Sequence, residues 1–181
     1  TVGGYVQQQL AWRGKVFLSG AVRGDDNSAF GQDFSFIYYP SVGLSWVIGE
    51  EDFWPQNDWV SSLRLRTAYG QSGQRPGFRN AITFLTAVGV KKAGSDIGAV
   101  ALGAPVGNDN LKPERSAEWE LGFDAGFFKN RMNLEFTYYN NATEDALILP
   151  NLPPSSGAAT RFENLGKVTN KGLEGMLTAN I

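Results

Sequence analysis

Apolar and polar side chains alternate with a period of two along most of this chain. Successive side chains of a β-strand point to opposite faces, so this alternation predicts strands whose two faces meet different environments. We predict seven strands, near residues 2–12, 15–24, 35–49, 60–71, 116–128, 131–141 and 170–181. The clearest alternation places on one face Phe36, Tyr38, Pro40, Val42, Leu44, Trp46 and Ile48.

The connections between these strands alternate between short and long. Residues 12–15 and 128–131 are predicted to be tight hairpin turns, and residues 50–59 a somewhat longer link with one helical turn before Pro55. Long, polar, glycine-rich loops are predicted at 25–34, 72–115 and 142–169. Short loops at one end of the strands and long loops at the other are typical of transmembrane β-barrels, which have short periplasmic turns and long extracellular loops. A compact soluble domain rarely contains structureless loops of this length.

Two environments explain an alternating sheet. The apolar face is either the core of a soluble or surface-exposed β-sandwich that binds a ligand, or the lipid-facing surface of a membrane barrel. The aromatic residues favour the barrel because they collect at both ends of the strands, as in the girdles of membrane barrels. At the short-turn end are Trp12, Trp46, Trp54 and Trp59, and at the long-loop end are Tyr38, Tyr69, Trp119 and Tyr138. The sandwich remains the alternative.

The amino-acid composition excludes several common catalytic mechanisms. The chain has no His and no Cys, so it has neither a His general base nor a Cys nucleophile or Cys-based zinc site. We therefore predict no catalytic residue, no metal and no cofactor, and a protein that is not an enzyme. A formal net charge of −2 provides no basic footprint for nucleic acid. The chain shows no signal peptide and stops within an alternating pattern, so we expect a fragment of a longer protein.

The charged residues of the predicted strands lie opposite the apolar face. We expect most of them to pair with each other on a wet wall, with contact to a ligand as the less favoured interpretation. The weak candidates for substrate contact on this wall are Arg64, Arg66, Glu118, Glu120 and Asp124, and those in the long loop are Arg75, Phe78 and Arg79. Residues 25–27 suit a turn better than a calcium loop.

Several ordered motifs resemble those of one family. The run Asn110–Ser116 followed by Glu118–Asp124 is similar to the "NLKPE…E…E.G.D" signature of TonB-dependent outer-membrane transporters, and residues 127–139 resemble the hairpin that follows it. Residues 164–174 are similar to a further "N.G.v.N.G.E" segment. Residues 39–46 and 63–73 resemble the SusC/RagA-like branch. Each motif is short, but together they cover most of residues 36–175 in order.

The resemblance implies an all-β fold: an antiparallel transmembrane β-barrel segment, about seven strands of a 22-stranded barrel. Residues 1–181 would be part of the barrel domain, with the plug domain, the signal peptide and the remaining strands absent. The family imports large nutrients such as oligosaccharides or peptides across the outer membrane. The implied partners are the TonB energy-transducing complex, acting through the missing N-terminal region, a SusD-like surface lipoprotein and outer-membrane lipid.

Overall fold

A computed structural model describes residues 2–26, 37–55, 57–74, 76–77 and 80–180. Within them the chain forms nine β-strands. These are β1 (Val2–Trp12), β2 (Val16–Asp26), β3 (Ile37–Val47), β4 (Val60–Gln74), β5 (Leu85–Lys92), β6 (Ser95–Leu102), β7 (Glu114–Phe127), β8 (Met132–Ile148) and β9 (Glu163–Ala179).

Seven of these strands form one antiparallel sheet in the order β1-β2-β3-β4-β7-β8-β9, and β5 and β6 form a separate hairpin. The seven predicted strands are confirmed. The prediction was wrong about two of the long loops. Residues 72–115 contain the β5–β6 hairpin, and β8 and β9 extend through half of 142–169, which leaves a connection of only 149–162.

The short turns have the predicted positions. Arg13 and Gly14 have φ values of 52° and 69°, and Phe128, Lys129 and Asn130 have φ values of 52°, 58° and 62°. Such left-handed residues let two neighbouring strands reverse direction within a few residues. The helical turn expected within 50–59 lies slightly earlier, as a single 3₁₀ turn at Ile48–Glu50 that follows β3 directly.

The register of the sheet places the predicted apolar set on a single face. One row of partners crosses all seven strands and consists of Leu10, Leu18, Leu44, Thr67, Leu121, Tyr138 and Leu173. The register of β1 puts Gln8 opposite Gly20 on the apolar face, and Gln7 and Gln9 on the polar face, although the three consecutive glutamines give no alternation there.

No second layer covers this apolar face in the described part of the chain. Leu44 is 43%, Leu121 48% and Leu173 67% exposed. A sandwich buries such a face against a second sheet, and the hairpin is too small to serve as one. The sandwich alternative is therefore not what this chain forms. No helix among the described residues has the length and apolarity to cross a membrane.

The aromatic side chains follow the predicted sorting along the strands. Trp12 and Trp46 flank Val16 in one row at the short-turn end. Tyr69 is the partner of Trp119 toward the long-loop end, where the Trp119 and Tyr138 rings meet edge to face with centroids 6.1 Å apart.

The long-loop end is a packed layer. Asn164 makes two hydrogen bonds to the backbone of Lys112, both of 2.9 Å. Its Oδ1 accepts from the Lys112 N–H, and its Nδ2 donates to the Lys112 carbonyl. Asn108 donates to the carbonyl of Phe162 at 2.9 Å, and the nearby Leu111 is only 1% exposed. The segment before β7 is thus fixed against the start of β9.

Candidate functional site

The polar face of the sheet brings together three of the predicted site residues. Arg64 on β4 is the register partner of Asp124 on β7, and its Nε donates to Asp124 Oδ2 at 2.7 Å. Arg66, two residues along on the same face, donates its Nε to Asp124 Oδ1 at 3.2 Å. One carboxylate, 19% exposed, therefore holds two guanidinium groups. The cluster ties neighbouring strands together and leaves little free charge on Asp124.

A glycine makes room for the second of these arginines. Arg66 reaches across β7 at Gly122, its register partner, and donates from Nη2 to Thr137 Oγ1 on β8 at 2.6 Å. A Cβ at position 122 would lie 3.0 Å from Arg66 Cζ and 2.6 Å from the Phe136 carbonyl oxygen. Arg66 therefore bridges three strands because the middle strand has no side chain at the crossing point.

Glu118 and Glu120 do not join the arginine cluster. Glu118 accepts a hydrogen bond from Asn141 Nδ2 at 2.7 Å. Glu120 lies between Ala68 and Tyr139 in the register. It borders a depression of about 430 Å³ whose polar lining is Arg66, Glu120, Glu135, Thr137 and Glu174. This part of the wall has more carboxylates than cations, which suits hydrogen-bond donors or positively charged groups on a passing solute.

The loop candidates cannot be placed. Arg75, Phe78 and Arg79 lie outside the described residues, so their contact with a substrate stays a prediction. Their described neighbours belong to the packed loop layer: Pro76 is almost fully buried, and the Asn80 carbonyl accepts the backbone N–H of Asn108 at 3.0 Å.

Sequence reasoning missed a second polar row on the same face. Tyr5, Arg23 and Tyr39 are successive register partners across β1, β2 and β3, and they border a depression of about 410 Å³. Arg23 is held by Asp25, which accepts from its Nε at 2.8 Å and from its Nη2 at 3.2 Å. The alternation could not place Tyr5 because the glutamines beside it left the register of β1 undecided.

Comparison with known proteins decides the family. The family model described as TonB dependent receptor-like, beta-barrel, matches residues 1–180. The chain belongs to the TonB-dependent receptor β-barrel family. Its relatives include TonB-dependent receptor P3 of Formosa agariphila, 30% identical over 162 residues. They also include TonB-dependent receptor SusC of Bacteroides thetaiotaomicron, 31% identical over 163 residues.

Solved structures agree with this family. The RagAB peptide importer in its closed-closed state superposes on 99% of the chain with a TM-score of 0.85 at 27% identity. The chain covers 88% and 87% of its own length in the matches to P3 and SusC but only 16% of either relative, and 19% of the RagAB chain. The SusC/RagA-like resemblance is thus confirmed. In transmembrane β-barrels the apolar face of the sheet meets lipid and the polar face lines the interior.

Proposed function

We propose that this chain is a section of the barrel wall of a TonB-dependent active transporter that imports a large nutrient, such as an oligosaccharide or a peptide, across the outer membrane. The observation that carries the proposal is the sheet itself. It is wide, antiparallel and uncovered, with apolar side chains on one face and paired charges on the other. Only a bilayer on one side and a wet interior on the other suit both faces at once.

The rest of the receptor supplies the parts that a seven-stranded wall lacks. Residues 1–181 would be part of the barrel domain, and the plug, the signal peptide and the remaining strands would belong to the parent. TonB would act through the N-terminal region, and a SusD-like lipoprotein would sit at the long-loop end. Support comes from relatives named SusC and RagAB peptide importer, each far longer than this chain.

The inner wall has two properties that suit a passage for a bulky solute. The Arg64–Asp124–Arg66 cluster and the Arg66–Thr137 bond join three strands through polar side chains. The neighbouring depression offers carboxylate oxygens to hydroxyl, amide or amino groups. We assign the Arg64–Asp124–Arg66 cluster to stabilising the wall, and Glu120 to weak contact with the solute.

Uptake measurements test the activity. Cells that carry the full receptor should accumulate a labelled oligosaccharide or peptide, and loss of either the receptor or TonB should abolish that uptake. Uptake that persists without TonB would contradict active transport by this protein.

Cysteine labelling tests the assignment of the two faces. Cysteine at Leu44 or Leu121 in the intact receptor should stay unreactive toward a membrane-impermeant thiol reagent, because lipid covers that face. Cysteine at Ala68, an exposed residue of the polar face, is the matched control. Each variant is labelled in both the native and the denatured receptor. Rapid labelling of native Leu44→Cys or Leu121→Cys would show that lipid does not cover the apolar face.

A further inference from the structure

A depression of about 410 Å³ lies on the polar face of β1, β2 and β3, and we call it the tyrosine depression. Its central row consists of the register partners Tyr5, Arg23 and Tyr39. This row is five residues, about 17 Å, closer to the long loops than the row that contains Leu10 and crosses all seven strands. The depression therefore lies between the long loops and the level of the arginine cluster. Its volume is within the range of about 300–1,000 Å³ that is typical of small-molecule sites.

Two glycines make room for the polar side chains of this depression. A Cβ at Gly73 on β4 would collide with the phenol of Tyr39, so the ring lies directly against the backbone of β4. A Cβ at Gly3 would likewise collide with the carboxylate of Asp25, its register partner. Asp25 in turn accepts two hydrogen bonds from Arg23, at 2.8 and 3.2 Å. The phenol of Tyr39 and the Arg23–Asp25 pair are thus held in place without a ligand.

The polar groups of the lining indicate the class of ligand. Among the described residues that line the depression, the charges are those of Arg23 and Asp25, which pair with each other. Arg115 of β7 interacts electrostatically with Tyr39 from outside that lining. The other polar groups are mostly hydroxyls, which both donate and accept hydrogen bonds, and they belong to Tyr5, Tyr39, Ser41 and Ser72. Such a lining matches a ligand that has many hydroxyl groups and no charge.

The two tyrosines add aromatic surface on both sides of Arg23. Tyr5 and Tyr39 are two strands apart, about 10 Å, and Tyr5 is 75% exposed. A sugar ring has apolar C–H faces and a rim of hydroxyls, so it can pack on a phenol ring while its rim bonds to polar groups. An extended peptide is instead recognised by a free strand edge. Strands β2 and β3 pair on both sides and offer no such edge.

We propose that the tyrosine depression binds a sugar ring, and hence that the nutrient is an oligosaccharide. The inference rests on the proposed function and chooses between its two nutrient classes. Tyr39 would pack against one face of the ring, and Tyr5 would cover it from β1. The hydroxyls of the ring would accept from Arg23 and donate to Asp25, because the guanidinium has further N–H groups and the carboxylate has further lone pairs.

Binding of the full receptor to arrays of oligosaccharides and of hexapeptides tests the proposal. The receptor is purified in lauryldimethylamine oxide, because a detergent with a sugar headgroup would compete for the site. We expect it to bind at least one oligosaccharide. Affinity for that compound, measured by isothermal titration calorimetry, should fall about tenfold in Tyr5→Ala and in Tyr39→Ala, since each variant loses one stacking surface. Tyr5→Phe keeps the ring and should lose less affinity than Tyr5→Ala.

Tyr139→Ala is the matched control, because Tyr139 lies on the polar face of β8, outside the depression. Its affinity for the oligosaccharide should equal that of the natural receptor. Heat-dependent mobility in gels verifies that each variant is a folded barrel, and Tyr5→Ala alone decides if Tyr39→Ala does not fold. Failure to bind any oligosaccharide, unchanged affinity in Tyr5→Ala, or equal losses in Tyr5→Ala and Tyr139→Ala would overturn the proposal.

Uptake measurements separate this inference from the proposed function. TonB-dependent uptake of a peptide, without binding of any oligosaccharide, would overturn the inference and leave the proposed function standing. Oligosaccharide binding that depends on Tyr5, without TonB-dependent uptake of that oligosaccharide, would support the inference and contradict active transport.

Discussion

At the scale of single residues, Gly122 leaves no room for a side chain beside the backbone of β8. An added Cβ would meet the Phe136 carbonyl oxygen at 2.6 Å, and a backbone atom cannot rotate away. Overpacking of this kind typically costs about 1–3 kcal/mol. We expect Gly122→Ala in the full receptor to lower the unfolding temperature in detergent and to weaken the Arg66–Thr137 bond. Gly20→Ala, where nothing lies within 4 Å of the new Cβ, is the control and should be nearly neutral.

The shared carboxylate of Asp124 gives a second prediction. Asp124→Asn keeps the size of the side chain but removes the charge that holds two arginines, and hydrogen bonds to charged groups contribute about 1.5–3 kcal/mol. Partial exposure reduces this, so we expect a loss of about 1–2 kcal/mol in the free energy of unfolding, measured by denaturant titration of the receptor. The same change at Asp52, whose fully exposed carboxylate lies 3.7 Å from Lys15 Nζ, should cost almost nothing. Equal effects at the two sites would contradict the role of the cluster.

The residues of the candidate site could be predicted better than their pairing. Alternation alone places Arg64 and Arg66 on one face, and Glu118, Glu120 and Asp124 on one face. Which acid meets which arginine depends on the register between β4 and β7, and thirty-nine intervening residues separate those strands. Only the structure shows that Asp124 takes both arginines while Glu118 bonds to Asn141.

At the scale of elements, a polar contact joins the two short connections at one end of the sheet. Trp46 Nε1 donates to Glu51 Oε1 at 2.9 Å, and Lys15 Nζ from the β1–β2 turn donates to Glu51 Oε2 at 3.3 Å. The bond from Trp46, followed by that from Lys15, holds the pKa of Glu51 below its ordinary value. The charged form is thus favoured in the folded state.

The sign of this shift predicts a pH dependence. A carboxyl group with a lowered pKa stabilises the fold above its ordinary pKa, and that stabilisation is lost as the pH falls through the lowered folded value. We expect Glu51→Gln to be less stable than the natural receptor at neutral pH and to become equal to it in acid. Parallel thermal melts across that range measure the difference. Glu50→Gln, at an exposed neighbouring position, should show no such convergence.

The elements that sequence reasoning missed share a physical cause. Strand prediction depends on one apolar face, and the ends of β8 and β9 have polar or charged residues on both faces. In β5 and β6, apolar side chains stand on both faces, with Gly89 opposite Gly98, so no period of two is visible. The strands of the large sheet were predictable because one face is apolar and the other polar, and the loop layer was not because it lacks that contrast.

At the scale of the whole molecule, the decisive property is a sheet with an apolar face that nothing in the described chain covers. The alternation was compatible with a sandwich and with a barrel, because both need one apolar face. The two folds differ in whether a second sheet covers that face, and this depends on the rest of the molecule. The match to TonB-dependent barrels explains why the face stays open, and it also explains why the isolated sheet would have two unpaired edges.

A paired substitution tests this conclusion directly. Leu121 and Ala68 lie near the same height on neighbouring strands, Leu121 on the apolar face and Ala68 on the polar face opposite Glu120. An arginine that faces lipid costs about 2–4 kcal/mol at the bilayer midplane and less toward the interfaces, whereas one that faces a wet interior costs little. In the full receptor, Leu121→Arg should therefore reduce assembly into the outer membrane, measured as the folded fraction in isolated membranes. Ala68→Arg should assemble normally, because its guanidinium meets the Glu120 carboxylate. The opposite ranking would mean that the charged face meets lipid, and the orientation of the whole wall would be reversed.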